Sequence, residues 1–105
     1  MIPVGAQAIT VVHQTTDAYG DRIETGRATV HGCSLQPFST TEELEGGDQV
    51  TTRWTLYAPT VLQAGPLDRL LVDGQSYELD GDLLLWRGLD GRPHHIEATL
   101  RRVTG

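Results

Sequence analysis

The chain has 105 residues, a formal net charge of −6, eight basic residues that are all arginine, and one cysteine. That length holds a single domain, residues 1–105, with one core, and is too short for two. The acidic balance and scattered arginines argue against a protein that grips duplex DNA through its phosphates, the lone Cys33 rules out an internal disulfide, and no stretch reaches the ~20 apolar residues of a membrane-spanning helix.

The start, MIPVGAQAITVV, lacks the basic leader and long apolar run of a secretory signal, so a cytoplasm-like compartment is expected. The apolar fraction of 38% is modest for a free monomer, and such a shortfall is commonly made up at subunit contacts. An all-arginine set suits bidentate pairing with carboxylates, and a GC-rich coding bias produces the same set.

The first strand is expected near Gln7–His13, with Ile9 and Val11 sharing a face. Thr15–Asp21 is turn chemistry and reads as the loop of a long hairpin. A second strand near Arg27–Leu35 alternates through Ala28 and Val30, then changes parity at Cys33 and Leu35. A β-bulge at Gly32 restores the inward set. Pro37–Asp48 is polar and acidic and ends in Gly46–Gly47, so it reads as a long solvated loop. The third strand, Val50–Ala58, puts Trp54, Leu56 and Ala58 on one face and Arg53, Thr55 and Tyr57 on the other. Pro59–Pro66 is a connector. Asp73-Gly74 between two apolar runs signals a tight hairpin, with Leu70 and Val72 facing Tyr77 and Leu79 inside. Strand character resumes at Leu83–Trp86. A loop through Asp90-Gly91 leads to a last strand whose inner face is Ile96, Ala98 and Leu100. Six or seven short strands with closely spaced turn signals predict an all-β fold, a small antiparallel barrel, with no helix of useful length.

Catalytic chemistry is poorly represented. His31, Cys33, His94 and His95 can be considered as zinc ligands, but a bulge between the first two or the adjacency of the last two splits each pair across faces. Glu78, Asp80 and Asp82 alternate at a strand end but lack the ligand series of a calcium loop and read as a solvated edge. No Gly-x-Ser-x-Gly elbow or phosphate-cradling glycine loop is present. Neither an enzyme nor a cofactor is expected. Phe38, Tyr57 and Trp86 are candidate contact anchors, and Arg101 and Arg102 are candidates for docking on acidic surfaces.

The order of landmarks resembles the head-to-tail stopper family, head-completion proteins of bacteriophages with long non-contractile tails, especially phages of actinobacteria. The residues that carry the likeness are the Asp-Ala-Tyr-Gly-Asp turn at 17–21, Val-His-Gly-Cys-Ser-Leu-Gln-Pro at 30–37, and the acidic loop after it. Thr-Leu-Tyr-Ala-Pro at 55–59, Asp-Arg-Leu-Leu-Val-Asp-Gly-Gln-Ser-Tyr-Glu-Leu-Asp-Gly at 68–81, and Ile-Glu-Ala-Thr-Leu-Arg-Arg-Val-Thr-Gly at 96–105 complete the set. The likeness implies a virion structural protein at the head–tail interface, assembled in the host cytoplasm. It implies a homo-oligomeric six-fold or twelve-fold ring below the portal and adaptor and above the tail terminator or tail tube. Double-stranded DNA would pass through that ring without specific binding, and no membrane is involved. The family's lumen-facing gating loop corresponds to Ser39, Thr40, Thr41, Glu42, Glu43, Glu45, Gly46, Gly47 and Asp48. Repeated around a ring, these carboxylates would repel phosphate, and Gly46–Gly47 would serve as the loop's hinge. Two other readings fit the same pattern: a tail terminator or other joining ring, favoured by a helix packed on the sheet, and a monomeric oligonucleotide-binding barrel using Arg53, Tyr57 and Arg69.

Overall fold

The computed structural model describes residues 5–103, with the side chains of 40, 42–44 and 48–50 left aside. Seven antiparallel strands form one sheet: β1 (Gln7–Thr16), β2 (Arg22–Leu44), β3 (Gly47–Ala58), β4 (Arg69–Val72), β5 (Gln75–Leu79), β6 (Leu84–Arg87) and β7 (Pro93–Arg102). The strand order is β3-β2-β1-β4-β5-β7-β6, and β3 also pairs with β7. That extra pairing closes six strands into a barrel and leaves β6 as an added strand on β7, so the all-β barrel expected from the sequence is what forms. Closure removes most of the free edges that make open sheets prone to association.

The barrel interior is apolar. Ile9, Val11, Val30, Cys33, Leu56, Ala58, Leu70, Val72, Tyr77, Leu79, Ile96, Ala98 and Leu100 are buried in one cluster, with Leu62 from the connector covering it. The four residues expected inside at the Asp73-Gly74 hairpin are all buried, with Leu70 opposite Tyr77, while Val72 stands opposite Gln75 and Leu79 opposite Leu100. Both turn residues have positive φ, 49° and 78°, as a mirror-image two-residue turn requires.

The parity change in β2 is resolved by a bulge. Gln7 pairs with Cys33 and Ile9 with Val30, so Ala8 faces two residues, His31 and Gly32. Gly32 takes φ 80°, a conformation that side-chain-bearing residues rarely adopt, and the extra residue turns both Val30 and Cys33 inward. A second irregularity, at Thr25 between Gly26 and Glu24, is not signalled by the apolar pattern.

Two expectations are corrected. Residues 37–48 are not an irregular loop: β2 continues to Leu44 and pairs in unbroken register with β3, from Ser34 opposite Tyr57 to Leu44 opposite Gly47. Thr40, Thr41, Thr51 and Thr52 supply β-branched residues, and Glu45–Gly46 forms a two-residue turn with Gly46 at φ 100°. None of the ribbon's described side chains is buried, and a strand without a buried face lacks the apolar alternation by which it is usually recognised. The loop expected at Thr15–Asp21 is shorter as well, because Thr15 and Thr16 pair with Ile23 and Arg22.

Candidate functional site

The feature that stands apart from the barrel is this ribbon. The last pairing of β3 with β7 is Trp54 with Leu100, and the last pairing of β2 with β1 is Cys33 with Gln7. Beyond those points β2 and β3 hold only each other. Seven pairs, from Phe38–Arg53 to Leu44–Gly47, carry the ribbon about 20 Å at ~3.3 Å per residue. Glu42, Glu43 and Asp48 fall in its outer half and Glu45 in its turn, so the far end is acidic. Ser39, Thr41, Glu45, Gly46 and Gly47 are exposed; the side chains of Thr40, Glu42, Glu43 and Asp48 lie outside the described residues. Gly46–Gly47 closes the ribbon's tip. The hinge assigned to this pair therefore sits at the end farthest from the barrel, where it cannot swing the segment about its base.

The root of the ribbon is fastened. Arg53 Nε donates to Asp80 Oδ2 at 2.8 Å, joining β3 to the corner between β5 and β6. Just inside, Trp54 packs edge-on against Tyr77 with centroids 5.3 Å apart, and the Arg102 guanidinium lies 4.8 Å from the Trp54 ring centroid. This group plugs the barrel end from which the ribbon departs. Arg102, read from sequence as an outward docking residue, is thus engaged within the chain.

Arg101 is engaged too. Its Nε donates to Glu78 Oε1, and Arg69 and Arg22 approach Glu78 Oε2 at 3.5 and 3.8 Å. Three strands send arginines to one carboxylate, so Glu78 staples the barrel exterior. With Asp80 held by Arg53, the acidic row at 78–82 is not simply a solvated edge.

Tyr57 and Trp86 come together on the outer face of β3, β7 and β6, either side of His95. Trp86 and His95 are stacked, with planes 4° apart and centroids 6.3 Å apart, and Tyr57 lies tilted 6.4 Å from the same imidazole. Phe38 is separate, on the ribbon. The His31–Cys33 pair is split as the bulge requires, His31 exposed and Cys33 buried, and among the described residues no group of three or more His, Cys, Asp or Glu is placed to hold a metal.

Two further features concern the connector and β6, the first of them not singled out in the sequence. His13 Nδ1 and Asp68 Oδ2 are 3.0 Å apart, and Asp68 also accepts from the backbone N–H groups of Gln14 and Gly65. Burial alone would raise the Asp68 carboxyl, but the two N–H donors and the imidazole outweigh it and hold it below the usual range. This network anchors the connector to β1 and is structural. The second is β6, whose four residues are all exposed. Its signal was visible as four consecutive apolar residues, Leu83–Trp86, with no polar alternation.

No protein-family model matches this chain, and no curated protein matches it by sequence. Among solved structures it is similar to protein XkdH of the phage-like element PBSX from Bacillus subtilis, with a TM-score of 0.53 and 13% identity over 91% of this chain and 92% of that one. At that identity the likeness establishes a shared fold over nearly the whole length of both proteins.

Proposed function

We propose that this protein is a structural component of a phage or phage-like particle, specifically a stopper ring at the head–tail joint. In this reading the barrel is the ring's wall, and the ribbon from Ser39 to Asp48 projects into the DNA channel. The observation that carries it is the acidic two-stranded ribbon standing off a closed barrel, in a fold shared with a phage-element protein. A domain of 105 residues cannot surround a duplex alone, so a channel role calls for many copies around an axis. Carboxylates at the ribbon's end would repel phosphate and let DNA pass without sticking. Above and below, the ring would meet the adaptor and the tail.

The rival ring role, a tail terminator, would be favoured by a helix laid on the sheet, and the described residues contain none. For an oligonucleotide-binding barrel, the outward aromatics Tyr57 and Trp86 would need guanidinium neighbours, but Glu97 lies beside them and Arg53 is tied to Asp80. No catalytic role is proposed.

The test is deletion of Ser39–Gly47 in the assembling particle. Rings should still form and heads should still fill, but the packaged genome should leak before the tail joins. Deleted particles that keep their DNA like the parent would overturn the stopper reading.

A further inference from the structure

β6 is the end strand of the sheet, and among the described residues it pairs with β7 alone, so its other backbone edge is free. Proteins usually blunt such an edge with charge or proline. Here it carries Leu84, Leu85 and Trp86, which are 56%, 46% and 51% exposed. Beside it runs a groove of about 390 Å³ whose walls include Thr55, Asp80, Asp82, Leu84, Trp86 and Glu97. The groove is apolar along the strand and acidic at its margin. Asp80 is held by Arg53 and Glu97 lies 3.4 Å from His95 Nε2, which leaves Asp82 with no cation beside it among the described residues. The Trp86 ring lies parallel to His95 with centroids 6.3 Å apart, and half of its side chain remains open.

We propose that this edge and groove receive an extended segment of a different protein, in which arginine or lysine alternates with apolar residues. Backbone N–H and C=O groups of β6 would add the segment as a further strand. The groove lies on the β7 side of Leu84 and Trp86, so side chains on the outer face of the added strand would reach it across those two residues, apolar members packing on them and cations extending to Asp82, Glu97 and the Trp86 ring. Charge decides against a second copy of this chain as the occupant. A second copy offers no strand of alternating cations: its ribbon edges bear glutamates, and its own β6, Leu84–Arg87, has a single arginine. The inference concerns the isolated domain and does not depend on the ring reading.

The test uses the intact chain and two synthetic octapeptides, one alternating arginine with valine and one alternating glutamate with valine. Titration followed by backbone amide NMR should show the arginine peptide binding and shifting residues 82–87 with Thr55 and Thr99. Affinity should fall tenfold or more in Trp86→Ala and in the double variant Asp82→Asn/Glu97→Gln, and it should fall as salt rises; the glutamate peptide should not bind. Equal binding of both peptides, no binding of the arginine peptide, or shifts confined to other strands would overturn the proposal. Self-association of the chain that Trp86→Ala abolishes would also overturn it, by showing that a second copy covers the edge.

Discussion

Arg53 and Asp80 are joined at the point where the ribbon leaves the barrel. Arg53 stands opposite Phe38 in the first pair beyond the barrel wall, and its Nε donates to Asp80 Oδ2 at 2.8 Å. The contact spans 27 positions of sequence and fastens the ribbon's root to the corner after β5.

Arg53→Ala or Asp80→Asn should change global stability by only about 0.2–1 kcal/mol, since both side chains are about one-third exposed. The local effect should be larger. Hydrogen exchange across Phe38–Arg53 should speed up severalfold while the Leu56 and Leu100 amides in the barrel wall stay protected. Unchanged exchange along the ribbon would show that the pair does not hold it.

Asp68 should be the most costly carboxylate to remove. Asp68→Ala leaves two N–H groups and an imidazole facing an empty space, and urea unfolding at pH 7 should register a loss of about 1–3 kcal/mol. The folded carboxyl lies below its unfolded value, so its contribution is complete above the unfolded value near 3.8 and is lost as pH falls through the folded one. The variant should therefore show a flatter fall in stability below pH ~4 than the parent. Parallel acid profiles would refute this assignment.

Cys33 should be inert while the barrel is closed. Burial pushes its thiol up to about 11, and Sγ points at the Val30 carbonyl. Disulfide-exchange reagents should label it only at the rate of unfolding, and at full speed in denaturant. Because the folded value is raised, the unfolded thiol ionises first as pH rises from about 9, and stability should decline from there through 11. Rapid labelling of the native protein at pH 8 would contradict the closed barrel.

The bulge offers a paired test at adjacent residues. Gly32 has φ 80°, so Gly32→Val forces a β-branched residue into a left-handed conformation at a cost of about 1–3 kcal/mol. His31→Val, exposed and one residue away, should be nearly neutral. Thermal unfolding of both variants checks the contrast, and equal losses would mean that the bulge conformation is not what matters.

The barrel was readable because each of its strands buries one face. Ile9 with Val11, Leu56 with Ala58, and Ile96, Ala98 and Leu100 all alternate, and all point inward. Even the bulge could be placed, since the parity of Val30 and Cys33 conflicts without one. The β2 arm of the ribbon was not readable as strand because none of its described side chains is buried, so apolar alternation could not mark it; on the other arm, Val50–Arg53 was legible through its alternation with Trp54 and Leu56. The segment that carries its acidic residues, expected as a loop, is paired backbone. The Arg101 and Arg102 contacts were missed for a different reason. An arginine near a chain end looks free in sequence, and only the barrel's closure brings Glu78 and Trp54 within its reach.

β2 runs through 23 residues, the last seven of them, Phe38–Leu44, in the ribbon and the rest in the barrel wall, and β3 accompanies it. No flexible joint separates wall from projection, so the projection behaves as a cantilever. Pushed sideways, it deflects by bending a two-stranded sheet and recoils when released. Pulled lengthwise, it loads the β1–β2 ladder in shear, with many hydrogen bonds sharing the force at once. A load on the tip therefore runs back along β2 as far as the bulge at Gly32, where the register with β1 shifts.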